Sequence, residues 1–251
     1  MNISRRALFL ALLFAGALLP ASLIGQEAKT EVKPEVKAND AVVPAPREGG
    51  WMNRHNSFNE RVKKGNVDLL LIGDSITQGW EGQGKKVWEE FYTKRNAVNL
   101  GIGGDRTQHV LWRLDNGNVE GIKPKAAVLM IGTNNARANT PEQTAEGVKA
   151  VVEKLKAKLP ETKLLVLAIF PRSVGKDDEL RKKNAAVNES IAKLADDKQV
   201  FFLDIGPKFL AEDGTLSKEI MPDLLHLNEK SYRIWAEAIE PKLAELMGEK
   251  S

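Results

Sequence analysis

Five short, unbroken apolar runs, separated by helix-patterned stretches, constrain this chain more than any other feature. Asp68-Leu69-Leu70-Leu71-Ile72, closed by Gly73-Asp74, is followed by similar runs at 97–100, 126–131, 164–169 and 200–203. Runs of this length without polar alternation suit strands buried on both faces, as inside a parallel sheet. The stretches between them carry helical spacing. Residues 107–114 place Val110, Leu111 and Leu114 on one side. Residues 141–159 follow Thr140 as N-cap, with Pro141 and Glu142 in the first turn and Val148, Val151, Val152 and Leu155 as an apolar face. Segments 178–194 and 228–247 complete the series. Strands alternating with helices predict an α/β fold, a parallel sheet covered on both sides by right-handed crossovers.

In such folds functional groups collect in the loops at the carboxyl ends of the strands. Gly73-Asp74-Ser75, Gly103-Gly104-Asp105 and Gly132-Thr133-Asn134 each follow one of the first three runs, so all three point at one rim. Ser75 is the candidate nucleophile, because a sharp strand-to-helix turn exposes its Oγ. A serine hydroxyl needs an adjacent base. His226 can serve, with Asp223 three residues earlier to fix the imidazole tautomer. Gly104 and Asn134 are candidate oxyanion donors beside the Ser75 N–H, each such donor being worth about 3 kcal/mol. Taken singly, each motif has a plainer reading: Gly-Asp-Ser as a turn, Asn134 as a cap, Asp-x-x-His as a surface pair. A nucleotide loop is disfavoured, since there is no GxxxxGK[ST] and residues 101–105 depart from GxGxxG. Their joint occurrence, in this order and after these strands, favours a serine hydrolase.

The N-terminus reads as a targeting segment. Arg5 and Arg6 precede thirteen apolar residues from Ala7 to Leu19, then the small residues Ala21, Ser22 and Gly25. These are the parts of a secretory signal over residues 1–25, predicting an exported protein. Extended to Ile24, the run would be an uncleaved anchor, the only membrane association expected. Ser4-Arg5-Arg6-Ala7-Leu8-Phe9-Leu10 loosely matches a twin-arginine signal. Residues 26–50, rich in Lys, Glu, Ala, Val and Pro, read as a disordered linker, so the domain is expected over 51–251. Formal net charge is +3, and losing Arg5 and Arg6 with the leader would leave +1. That is too near neutrality for a nucleic-acid partner. There is no cysteine, and the three histidines form no HxH or HxxxH pair, so neither disulfides nor a metal is expected.

The motif blocks carry a family resemblance. Ile72-Gly73-Asp74-Ser75-Ile76-Thr77, Asn99-Leu100-Gly101-Ile102-Gly103-Gly104-Asp105, Ile131-Gly132-Thr133-Asn134-Asn135 and Pro222-Asp223-Leu224-Leu225-His226-Leu227 resemble the four blocks of the SGNH (GDSL-type) hydrolases. Residues 51–56, 104–114 and 170–172 bring the likeness closest to the catalytic subunits of intracellular platelet-activating-factor acetylhydrolase. The resemblance implies a three-layer α/β/α flavodoxin-like fold with a five-stranded parallel sheet, no metal or cofactor, and an acyl-enzyme route. It further implies a shallow acetyl-sized pocket flanked by Ile76 and Leu225, and, since relatives pair, a homodimer. Export departs from those cytosolic relatives, and Gln78–Ala97 has no counterpart among the blocks.

Arg172, after the fourth run, is a candidate substrate contact on the same rim. Asp105 is expected to cap the next helix, and His55 and His109 to be structural. Trp88, Trp112 and Trp235 should pack internally, while Trp80, in the glycine-rich stretch 79–84, is offered as a sugar-stacking platform. The expected substrate is a small-molecule, lipid or glycan acetyl ester. The competing reading is an idle SGNH fold that binds glycans.

Overall fold

The computed structural model describes residues 38–249. The segments read as a signal and as the linker's first part, 1–37, lie outside the described residues. All five apolar runs are strands: β1 (Leu69–Gly73), β2 (Ala97–Gly101), β3 (Ala126–Met130), β4 (Lys163–Leu167) and β5 (Val200–Leu203). They form one parallel sheet in the order β2-β1-β3-β4-β5. This is the flavodoxin-like order, which switches direction between β1 and β3.

Alternate side chains of each strand feed two separate cores, as a period of two requires. Leu70, Ile72, Val98, Leu100, Ala127 and Leu129 meet α1 (Gly50–Lys63), α4 (Thr107–Asp115), α5 (Pro141–Lys158) and α6 (Glu179–Ile191). Leu69, Leu71, Val128, Met130 and Leu165 meet the short α2 (Ser75–Gln78), α3 (Lys85–Phe91) and α7 (Glu229–Met247). The layers are therefore α/β/α. The Thr140 cap holds as expected: its Oγ1 accepts from Gln143 N at 3.2 Å, and Gln143 Oε1 accepts from Thr140 N at 3.1 Å. Helix α1 was not anticipated. Its inward stripe is only Trp51, His55, Phe58 and Val62, set in polar sequence.

The domain begins earlier than Trp51. Residues 38–50, expected to be linker, are ordered on the domain surface. A 3-10 turn at Asp40–Val42 is capped by Asn39 and buries Ala41 completely. Thr107 Oγ1 donates to Ala41 O at 2.7 Å, Asn139 Nδ2 to Asp40 Oδ1 at 2.6 Å, and Ala45 N to Gln108 O at 3.1 Å. These are mostly side-chain hydrogen bonds, which leave no periodic trace in sequence. Their effect is to lay residues 44–49 beside the rim of the sheet.

Register explains why the loops meet. Gly73 of β1 lies level with Gly101 of β2 and Met130 of β3, so three strands stop together. Helix α2 then folds directly over the end of β2. A Cβ on Gly101 would lie 2.3 Å from Gln78 N and 2.6 Å from Thr77 C, both backbone atoms. Gly101→Ala is therefore expected to destabilise the protein by about 1–3 kcal/mol, the usual cost of overpacking. Urea denaturation at constant m-value would measure it, and a change under about 0.5 kcal/mol would show that α2 is not packed so closely.

Candidate active site

Ser75 opens α2 at the end of β1. Asp74 is its N-cap and accepts from Ile76 N at 3.0 Å, which turns the chain sharply and presents the Ser75 side chain outward. The last functional block precedes α7. Asp223 Oδ1 accepts from the backbone N–H groups of Leu225 (3.1 Å) and His226 (2.7 Å), and Leu224 takes a left-handed φ of 61°. This tight turn aims the His226 ring at β1. Ser75 Oγ lies 2.9 Å from His226 Nε2, and His226 Nδ1 lies 2.6 Å from Asp223 Oδ2. Partial burial works against ionisation of Asp223. The bonds from the His226 ring and backbone outweigh it and hold the carboxyl below its ordinary value. Both side chains are half open to solvent, 44% for His226 and 57% for Asp223, so the line of three groups sits at the surface.

Three candidate N–H donors lie on the loops that follow β1, β2 and β3. Gly104 adopts φ 76° in the turn after β2. Among the described residues, neither Ser75 N nor Gly104 N has an acceptor. Asn134, after β3, donates one Nδ2 hydrogen to Asp105 O at 2.9 Å, which orients the amide and leaves its other hydrogen unused. Gly103 abuts Ser75: a Cβ there would lie 3.8 Å from Ser75 Cβ.

A buried polar network supports these loops from below. Asp105 is fully buried and accepts from Trp51 Nε1 (2.6 Å) and Arg113 Nε (2.9 Å), and also meets Arg47 Nη1 (3.2 Å). Burial pushes its carboxyl up, opposed by Arg113, Trp51 and Arg47. Arg113 is itself buried and bonds Asn118 Oδ1 at 2.8 Å. Asp105 is thus a hub rather than a simple helix cap. His109 caps α4 by accepting from Arg106 N at 3.0 Å, and burial lowers it to about 4. It is therefore neutral, and its 3.7 Å approach to Asp105 is not an ion pair. His55 stacks on Trp51 between the amides of Asn59 and Asn118, a packed structural position.

Several expectations change. Trp80 is 1% exposed and packs against Tyr232, Tyr92 and Trp235, so it cannot stack on a sugar. The glycines around it reflect crowding, since a Cβ on Gly79 would lie 2.0 Å from Tyr232 Oη. Ile76 is equally buried, at 1%, and belongs to the core under α7 rather than to an open pocket wall. Leu225 is half-buried at the rim. Arg172 is 6% exposed, and its Nη1 donates to Thr133 Oγ1 at 3.2 Å, bracing the loop that carries Asn134. A cavity near the ends of β4 and β5, lined by residues including Ile169, Pro171, Asn184, Asp204 and Leu210, contains none of the triad residues. Arg47, at the rim of the site, had no signal in the motifs at all.

Residues 71–234 match the GDSL-like lipase/acylhydrolase family. The chain belongs to that family, and so to the carboxylic ester hydrolases. It is 38% identical over 217 residues to the human platelet-activating factor acetylhydrolase IB subunit alpha1, covering 84% of this chain and 92% of that one. It is 39% identical over 221 residues to the rat alpha2 subunit, covering 84% and 93%. Among solved structures, a GDSL-like lipase from Bacteroides thetaiotaomicron superposes with TM-score 0.63 at 20% identity, over 77% of this chain and 97% of that one. An acetylxylan esterase from Geobacillus stearothermophilus gives 0.56 at 17%, over 74% and 96%. These two establish a shared fold.

Asp74 generates a pH prediction. It is fully buried and its Oδ2 has no partner among the described residues. Burial, reinforced by the Asp105 charge, pushes it up to about 7 against the Ile76 N–H bond and the attraction of His226. The folded state therefore holds a proton that the unfolded chain, near the ordinary value of 3.8, releases earlier. Stability from this group is full below about pH 4 and is lost as pH rises through about 7. Asp74→Asn keeps the Oδ1 acceptor without the charge. Its stability deficit relative to wild type should shrink between pH 5 and pH 8 in urea titrations, and a deficit independent of pH would contradict the buried, protonated carboxyl.

Proposed function

We propose that this protein is an exported serine acylhydrolase that removes small acyl groups, acetyl foremost, through Ser75, His226 and Asp223. The observation that carries this reading is the continuous line from Ser75 Oγ through the His226 ring to Asp223, at 2.9 and 2.6 Å. Ser75 Oγ attacks the ester carbonyl carbon while His226 Nε2 takes its proton. Asp223 accepts from Nδ1 and stabilises the imidazolium. The tetrahedral oxyanion lies among Ser75 N, Gly104 N and Asn134 Nδ2. Collapse expels the alcohol, which receives its proton from His226, and leaves an acyl-Ser75 ester. Water, deprotonated by the same ring, then releases the acid and restores Oγ–H.

Acetyl is favoured because similar proteins with different alcohol partners share it: the sequence relatives are named as platelet-activating factor acetylhydrolase subunits, and one fold neighbour as an acetylxylan esterase. The exposed triad suits an ester presented on a larger molecule, whether lipid or glycan. The apolar leader at residues 1–25 supports export, where acetylated glycans are met. An idle binding module would have no use for three aligned catalytic groups beside two backbone N–H groups without acceptors.

Ser75→Ala is expected to lower kcat on p-nitrophenyl acetate by at least about a thousandfold without loss of folding, and Asn134→Ala by about 10²–10³. Wild-type activity should fall steeply from acetyl to octanoyl esters. Wild-type-like turnover by Ser75→Ala would refute the nucleophile, and a preference for octanoyl would refute the small acyl pocket.

A further inference from the structure

Arg47 stands at the rim of the site with unspent charge and an unspent donor. It arrives from the segment 38–49, upstream of all the motif blocks. Its Nη1 donates to Gly103 O at 2.8 Å and to Asp105 Oδ1 at 3.2 Å, which fixes the guanidinium plane. That plane lies across Gly104: a Cβ there would lie 3.3 Å from Nη1 and 3.4 Å from Nη2. Among the described residues Nη2 has no partner, and the side chain is 37% exposed. Gly103, which Arg47 grips, is the residue packed beside Ser75 Cβ.

The local charge count leaves this guanidinium uncompensated. Among the described residues Asp105 is the only carboxylate it meets, and Asp105 is already paired with the buried Arg113. Two guanidiniums thus share one carboxylate. His109 beside them is neutral, and Arg106 is matched by Asp40 at 3.4 Å. A fixed, half-exposed guanidinium with a free N–H edge is suited to a planar or tetrahedral oxyanion, which it binds through charge-assisted hydrogen bonds.

We propose that Arg47 contacts substrate and selects esters whose alcohol part carries an anionic group, a phosphate or a carboxylate. The proposal rests on the reading of Ser75 as nucleophile. With the ester carbonyl between Ser75 Oγ and the Gly104 N–H, a small acyl group takes the apolar flank by Leu225. The alcohol part then extends over Gly103 and Gly104, where Nη2 receives its charge. A phosphate would belong to a lipid or glycerol headgroup, a carboxylate to an acidic sugar.

The test compares matched acetyl esters: acetylglycerol phosphate against monoacetylglycerol, and an O-acetylated methyl galactosiduronate with a free carboxylate against the corresponding methyl galactoside. In wild type, kcat/KM should favour the charged member of at least one pair. Arg47→Gln should reduce that charged-to-neutral ratio at least tenfold, Arg47→Lys should restore part of it, and Arg61→Gln, beside the amino end of β1 away from the rim, serves as the charge control. The pair that responds identifies the source of the anion. A ratio that changes less than twofold in both pairs, or an equal loss on charged and neutral members, overturns the proposal and leaves Arg47 as a brace for Gly103. A second measurement does not depend on turnover. Inorganic phosphate or galacturonate should bind the Ser75→Ala protein, and adding Arg47→Gln should weaken that binding at least tenfold. Binding of neither anion overturns the proposal, whereas wild type inactive on p-nitrophenyl acetate would count against the nucleophile alone.

Discussion

The buried pair of Asp105 and Arg113 is the interaction on which the rest of the site depends. Removing two charges from water is costly, and the cost is offset by further hydrogen bonds: Trp51 and Arg47 to Asp105, and Arg113 to Asn118. Asp105 takes Trp51 from α1, Arg113 from α4 and Arg47 from the N-terminal segment, while its backbone carbonyl takes the Asn134 amide from the loop after β3. One residue, through its carboxylate and its backbone carbonyl, therefore ties together the elements that present two of the three candidate oxyanion donors. A partner removed from such a pair leaves an unmatched charge in the core, typically a loss of about 3–5 kcal/mol. The loops around Ser75 thus inherit the rigidity of the core beneath them, which pre-organised donors require.

The sheet was legible from residues alone because its strands are buried on both faces. Leu69 through Ile72 face two different cores, so no polar alternation interrupts the run. The same burial made β2 to β5 readable, and level strand ends then brought the three polar clusters to one rim. Ser75, Gly104, Asn134, Asp223 and His226 were legible in the motifs, and Ser75, His226 and Asp223 meet in space although His226 stands 151 residues along the chain from Ser75. That long-range meeting is a property of topology, with α7 packed beside α3 under the same face as α2.

What sequence misjudged shares one physical cause, which is that side-chain surroundings carry no local period. The glycine-rich stretch 79–84 suggested an open loop, yet its glycines make room for the rings of Trp80 and Tyr232. Ile76 follows the nucleophile but points the other way, into the core. Helix α1 hid because four inward residues in fourteen produce a weak stripe. Residues 38–50 looked like linker because Asn39, Asp40 and Arg47 are held by hydrogen bonds to distant loops, which no window of neighbouring residues can reveal.

Arg47 reaches the site from a segment outside the four motif blocks. The family match spans 71–234, whereas Arg47, Trp51 and the rest of the strap over the sheet lie before it. Substitutions in residues 44–49 can alter which alcohol is welcomed without disturbing a single residue of the motifs. A preference set by Arg47 would thus be written outside the blocks that encode the proposed reaction, and a fragment cut at the motifs would lack it.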